Sequence, residues 1–188
     1  MKKYIFIIIA GVLLICGAFF FFTKDNGQKE TELTEVQKII TKDLETDYPK
    51  TPREIVKLYN RIVECYYSEE KKREDISKEE LKALSKQMLQ LLDEEVLLAN
   101  QEDEYYNFVL DEIKVFEAND TYIVESEVCG RNDVQEVIDP NNGDKLAYVG
   151  ASYFMNTLET IYQKFILRED ENGKWKILYY MKGEPWNE

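Results

Sequence analysis

Apolar positions follow three different rules in turn along the 188-residue chain. Residues 4–22 carry no charge and are almost wholly apolar; residues 33–116 show apolar side chains three and four apart; from residue 121 the spacing falls to two. The second regime predicts amphipathic helices, and the third predicts strands with two distinct faces. A helical half followed by an antiparallel, strand-rich half is an α+β arrangement.

As a helix, residues 4–22 reach ~28 Å at 1.5 Å per residue, close to the ~30 Å hydrocarbon core of a bilayer. Lys2 and Lys3 precede the run, and Lys24 with Asp25 follows it. The positive-inside rule then predicts residues 1–3 as a cytoplasmic tail, residues 4–22 as a single transmembrane helix, and the remaining chain outside the cell membrane. Two alternatives stay open. Cys16-Gly17-Ala18 loosely fits a signal-peptide cleavage site, although four phenylalanines would then begin the new terminus. Lipidation at Cys16 is the other, although bulky Ile15 precedes that cysteine.

Residues 23–50 are polar, as a stalk should be. Within them Leu33, Val36, Ile40 and Leu44 predict a short amphipathic helix, capped by Thr34 with Gln37, that spaces the domain from the membrane or docks onto it. Residues 51–188 form the predicted extracytoplasmic domain. Thr51-Pro52-Arg53-Glu54 starts a helix running to about Tyr67, with Ile55, Tyr59, Ile62 and Tyr66 on its apolar face. Ser77 with Glu80 starts another, carrying Leu81, Leu84 and Met88. Residues 93–99 continue it or open a third, and Asn100 with Asp103 leads into a further helix holding Tyr105, Ile113 and Phe116. Strands are predicted over residues 121–129, 134–138, 145–155, 158–168 and 174–182. If Asn172-Gly173 is a two-residue hairpin turn, Phe165 lies opposite Tyr180 and Leu167 opposite Leu178. Ile166 then faces Tyr179, and Arg168 faces Ile177, on the other side.

Composition narrows the chemistry. A net charge of −13 repels phosphate backbones, so nucleic acid is not an expected partner. Histidine is absent, which removes the usual Ser-His-Asp, Cys-His and His-ligated zinc sites. Cys65 and Cys129 are either small buried apolar residues or a disulfide pair. Asp139-Pro140-Asn141-Asn142-Gly143-Asp144 is rich in calcium-ligand types, but Gly143 is fifth and Gly150 twelfth, so the EF-hand spacing fails and a hairpin loop is expected. The acids at 94–95, 102–104 and 111–112 read as solvated helix faces. No metal or cofactor is implied.

The 13 tyrosines are the surplus worth following. Tyr59, Tyr66, Tyr153 and Tyr162 are the candidate pocket residues, with Glu64 as a neighbouring acid. Tyrosine serves equally in small cores and at partner surfaces. The reading that follows is a binding or scaffold module for a peptide, an envelope component or a second copy. The alternative is an isomerase, dehydratase or hydrolase working through tyrosine and Glu/Asp.

Helices followed by an antiparallel meander ending in Arg168-Glu169-Asp170-Glu171-Asn172-Gly173-Lys174-Trp175-Lys176-Ile177 resemble the nuclear-transport-factor-two-like fold, the cone of ketosteroid isomerase and SnoaL-type proteins. Thr51-Pro52-Arg53-Glu54, Leu58-Tyr59-Asn60-Arg61-Ile62, Glu64-Cys65-Tyr66-Tyr67 and Ala151-Ser152-Tyr153-Phe154 resemble an uncharacterised family of membrane-anchored proteins from Gram-positive anaerobes. The likeness covers residues 35–182. It implies a membrane location, a cone-like fold and a tendency to homodimerise through sheet faces, and it implies no activity.

Overall fold

The computed structural model describes residues 32–69, 73, 75–97 and 102–186. The tail at residues 1–3, the membrane helix at residues 4–22 and the expected cap at Asn100 lie outside the described residues. Among the described residues, no helix is long and apolar enough to cross a membrane.

The architecture is α+β, with helices packed on an open antiparallel sheet. Helix α1 (Glu35–Ile40) is followed by α2 (Pro52–Tyr67), α3 (Lys78–Leu89), α4 (Glu94–Leu97) and α5 (Glu102–Ala118). Three of these helices start the same way. Thr34, Thr51 and Ser77 each accept a bond from the backbone N–H three residues on, and Gln37, Glu54 and Glu80 reach back to the cap. Each box satisfies two donors that the first helical turn leaves unpaired. Pro52 occupies the first turn of α2, where its missing N–H costs nothing.

The compact unit begins at Thr34, so part of the expected stalk belongs to the domain. Val36, Ile39 and Leu44 are buried, and the Gln87 side-chain amide donates to the Lys42 carbonyl at 2.9 Å. Helical spacing named Leu33 and Ile40 instead of Ile39. The helix is only six residues long, and a turn, not a further helical turn, brings Leu44 inward. Leu33 remains half exposed.

Strands β1 (Ile123–Val128), β2 (Gln135–Ile138), β3 (Lys145–Met155), β4 (Thr160–Glu169) and β5 (Trp175–Lys182) form one sheet. Its order is β1-β3-β4-β5, with β2 beside the first residues of β3 and β1 beside the last. A short 3₁₀ turn, Arg131–Asp133, joins β1 to β2. Residues 139–144 form the β2–β3 hairpin loop, where Asp139 accepts from the Asn141 and Gly143 N–H groups and Gly143 takes φ 82°. On β3, Ala147, Val149, Ala151 and Tyr153 turn inward and are buried against Ile55, Val56 and Ile62 of α2. Each valine or isoleucine side chain withdrawn from water there contributes ~1.5–3 kcal/mol, and each alanine less.

The β4–β5 register is half as expected. Ile166 faces Tyr179 and Phe165 faces Tyr180, but Leu167 faces Ile177 and Arg168 faces Lys176. The connection is a three-residue loop rather than a two-residue turn. Asp170 donates its N–H to the Lys174 carbonyl, its carboxylate accepts from the Asn172 and Lys174 N–H groups, and Gly173 takes φ 73°. An irregularity beside Leu178 then restores the register. The sheet's second face is partly covered by the C-terminal segment. A Cβ at Gly150 would come 2.8 Å from the Trp186 ring, and that ring meets Tyr162 edge-on at 5.9 Å.

Candidate functional site

A cavity of about 290 Å³ lies between α2, α5 and the inner face of the sheet near β5. Its size is at the lower end of the ~300–1,000 Å³ usual for small-molecule sites. Helix α2 supplies Tyr59, Val63, Tyr66 and Tyr67 because its apolar face turns toward the sheet. Helix α5 contributes Tyr105 and Phe108, and β5 contributes Tyr180 after the Leu178 irregularity. The rings brace one another. Tyr59 meets Phe165 edge-on at 5.0 Å, Tyr180 lies 5.5 Å from Phe165, and Tyr67 stacks on Phe116 at 4.4 Å. Such pairs are each worth ~0.5–1.5 kcal/mol beyond area burial.

The hydroxyls divide into two groups. Tyr66 donates to the Ser85 hydroxyl at 3.2 Å and Tyr153 to the Asn60 side-chain carbonyl at 2.7 Å, so both are tied into the core. Among the described residues the Tyr59 and Tyr67 hydroxyls make no hydrogen bond within the protein. Burial holds the phenols of Tyr59, Tyr66, Tyr67, Tyr105 and Tyr153 well above their ordinary range, so each stays a neutral hydroxyl at physiological pH. Gln163, at the same cavity, has a buried Oε1 with no partner among the described residues. The site therefore offers apolar walls, neutral hydroxyls and one idle acceptor.

Three of the four expected tyrosines meet here: Tyr59, Tyr66 and Tyr153. Tyr162 does not. It lies opposite Ser152 on the other face of the sheet, against Trp186. Glu64 is directed away from the cavity as well, accepting from the Ser126 N–H at 2.8 Å and lining a separate cleft beside α1. The acid that reaches the tyrosine-lined cavity is Glu112, which is partly exposed. Tyr67, Tyr105, Phe108, Tyr180 and Gln163 were not anticipated. Tyr67 and Tyr105 lie on the expected helices, and the expected pairing of Phe165 with Tyr180 holds, but both faces of that hairpin carry apolar residues in the sequence and neither is marked as the inner one.

One wall is held by ions. Leu92 and Val96 flank the cavity on either side of Asp93, whose side chain is 5% exposed. Arg168 grips that carboxylate with Nε at 3.0 Å and a terminal nitrogen at 2.5 Å, and reaches Glu95 at 2.8 Å and Asp144 at 3.3 Å. Asp93 chiefly, and Glu95 next, push the guanidinium pKa further up. Lys145 sits over the Trp175 ring at 4.8 Å and pairs with Glu169 at 3.2 Å.

Cys65 and Cys129 are both buried free thiols, and burial pushes the Cys65 thiol up to about 12. No curated protein matches the chain in sequence. The family model described as a domain of unknown function, DUF6715, matches residues 1–180, so the chain belongs to that family.

Proposed function

We propose that this protein is a membrane-anchored binding module whose tyrosine-lined cavity takes an apolar, ring-sized group carrying a hydrogen-bond donor. The observation that carries this reading is the cavity's chemistry among the described residues: aromatic walls, neutral hydroxyls, the unpartnered Gln163 acceptor and no buried carboxylate beside a tyrosine hydroxyl. General acid–base catalysis would call for such a carboxylate within reach of a donor. Residues 4–22 serve in this proposal as the anchor, displaying the domain outside the cell. The fold proposed for it is the nuclear-transport-factor-two-like cone. Helices preceding an antiparallel meander, and register shifts in β1 near Val124 and in β5 near Leu178, support it, because bulges bend and twist a sheet.

Indole is a suitable probe, with an apolar ring and one N–H. Calorimetric titration of the full-length protein is expected to show saturable 1:1 binding. Val63→Phe, which adds bulk at the cavity wall, is expected to weaken it at least tenfold. Absence of saturable binding, or equal affinity in Val63→Phe, contradicts the proposal.

A further inference from the structure

We propose that the edge of β5 beyond Leu178, which pairs with no other strand among the described residues, accepts an extended peptide as an added strand, one apolar side chain of which enters the tyrosine-lined cavity. The inference rests on the cavity being a binding site and names its occupant.

The ladder with β4 fixes which backbone groups of β5 face outward. Asp170 donates to Lys174 across the hairpin, so Lys176 also faces β4, and Ile177, three residues beyond Lys174, has its N–H and C=O turned away from β4. Both outward groups are used: the Ile177 N–H donates to the Leu91 carbonyl, and its carbonyl accepts from the Asp93 N–H. Here the edge already carries a short parallel strand partner, the bridge Leu92–Ile177. That partner then turns off into α4. Beyond Leu178, Gly183 donates to the Tyr162 carbonyl, so Met181 and Tyr179 bond to β4 while Tyr180 and Lys182 turn their N–H and C=O groups outward. β5 is the terminal strand of the sheet, and Tyr179, Tyr180 and Met181 are each just over half exposed.

A row of strand-spaced donors and acceptors is complemented by an extended backbone. Side chains of an added strand alternate between faces. Those on the inner face emerge where Tyr180 and Phe108 border the cavity mouth. A second copy is the poorer occupant, because two chains of −13 would be brought together. Glu112 at the cavity and Glu94 at the start of α4 favour a neutral or basic peptide.

The test selects a displayed library of random heptapeptides on the full-length protein and measures the enriched peptides by calorimetry, with indole in parallel. Alternating apolar sequences with Lys or Arg flanks are expected. N-methylation of alternate backbone amides should weaken them at least tenfold. Lys182→Pro removes one outward N–H and leaves the bonds to β4 intact, so it should weaken peptide binding about tenfold and leave indole affinity unchanged. If that variant fails to fold, the N-methyl arm decides alone. Indole binding without peptide enrichment, or enriched peptides indifferent to N-methylation, overturns strand addition and leaves the cavity reading standing. Loss of indole binding overturns the cavity reading itself. A dimer on sedimentation that Lys182→Pro dissolves, with no peptide bound, assigns the edge to a second copy and overturns the peptide.

Discussion

Replacing Arg168 with methionine removes the ionic clamp behind the cavity wall while keeping much of the side chain's volume. The Asp93 carboxylate, 5% exposed, would then retain the Glu95 N–H at 3.0 Å and lose its bidentate partner. Breaking a buried ion pair from one side costs ~3–5 kcal/mol, because the other charge stays buried and uncompensated. The Arg168 side chain is 22% exposed, so water reaches part of the site and a figure of about 2–3 kcal/mol is the better expectation. Glu95 and Asp144 are more open, and each adds less than ~1 kcal/mol. At ~2–4 °C per kcal/mol for a domain of this size, Tm should fall by roughly 4–12 °C. Urea unfolding followed by circular dichroism, with an unchanged m-value, measures the loss. The double variant Asp93→Asn with Arg168→Met should exceed the summed single effects in stability by about 2 kcal/mol, since the stranded charge is gone. A loss below ~0.5 kcal/mol for Arg168→Met, or no coupling in the cycle, refutes the clamp.

Other expectations follow from single features. Leu158, at the β3–β4 turn, holds φ 66° and is 81% exposed, so Leu158→Gly should raise the unfolding free energy by about 1 kcal/mol; a lower urea midpoint would assign that leucine a packing role. The buried tyrosines, raised above their ordinary value of 10.0, contribute fully below that pH and lose their contribution as the unfolded chain ionises first. Stability should therefore begin to fall as the pH passes about 10 and go on falling above it, with phenolate absorbance rising together with unfolding. Ionisation of all tyrosines ahead of unfolding would contradict this. The full-length protein should sediment with membranes, whereas a chain starting at residue 24 should not, and protease added to whole cells should remove the domain. Protection of the domain there would reverse the proposed orientation.

What was legible in the sequence was local. Capping boxes at Thr34, Thr51 and Ser77 involve residues three apart, and their chemistry needs no knowledge of the rest of the chain. The bounds of β3, Lys145–Met155, were legible in the same way, because they rest on spacing within one segment. The failures came where two elements had to be registered against each other. Tyr153 pairs with Ile161 and Tyr162 with Ser152, so two tyrosines that look equivalent in sequence stand on opposite faces. That assignment depends on the 156–159 turn, which includes a leucine in a conformation leucine rarely adopts. At the next hairpin, the Asp170 carboxylate made Asn172-Gly173 part of a three-residue loop and shifted Leu167 and Arg168 by one partner. Glu64 could not be assigned for a related reason. Its helix position puts it beside β1, and only the fold shows that the Ser126 N–H is there to receive it.

The most direct measurement is a tyrosine-selective ¹³C NMR titration of the protein with indole. The account predicts that the ring signals of Tyr59, Tyr105 and Tyr180 shift together and saturate, while Tyr162, beside Trp186 on the far face, stays in place. Movement of Tyr162 with the other three unmoved would contradict it.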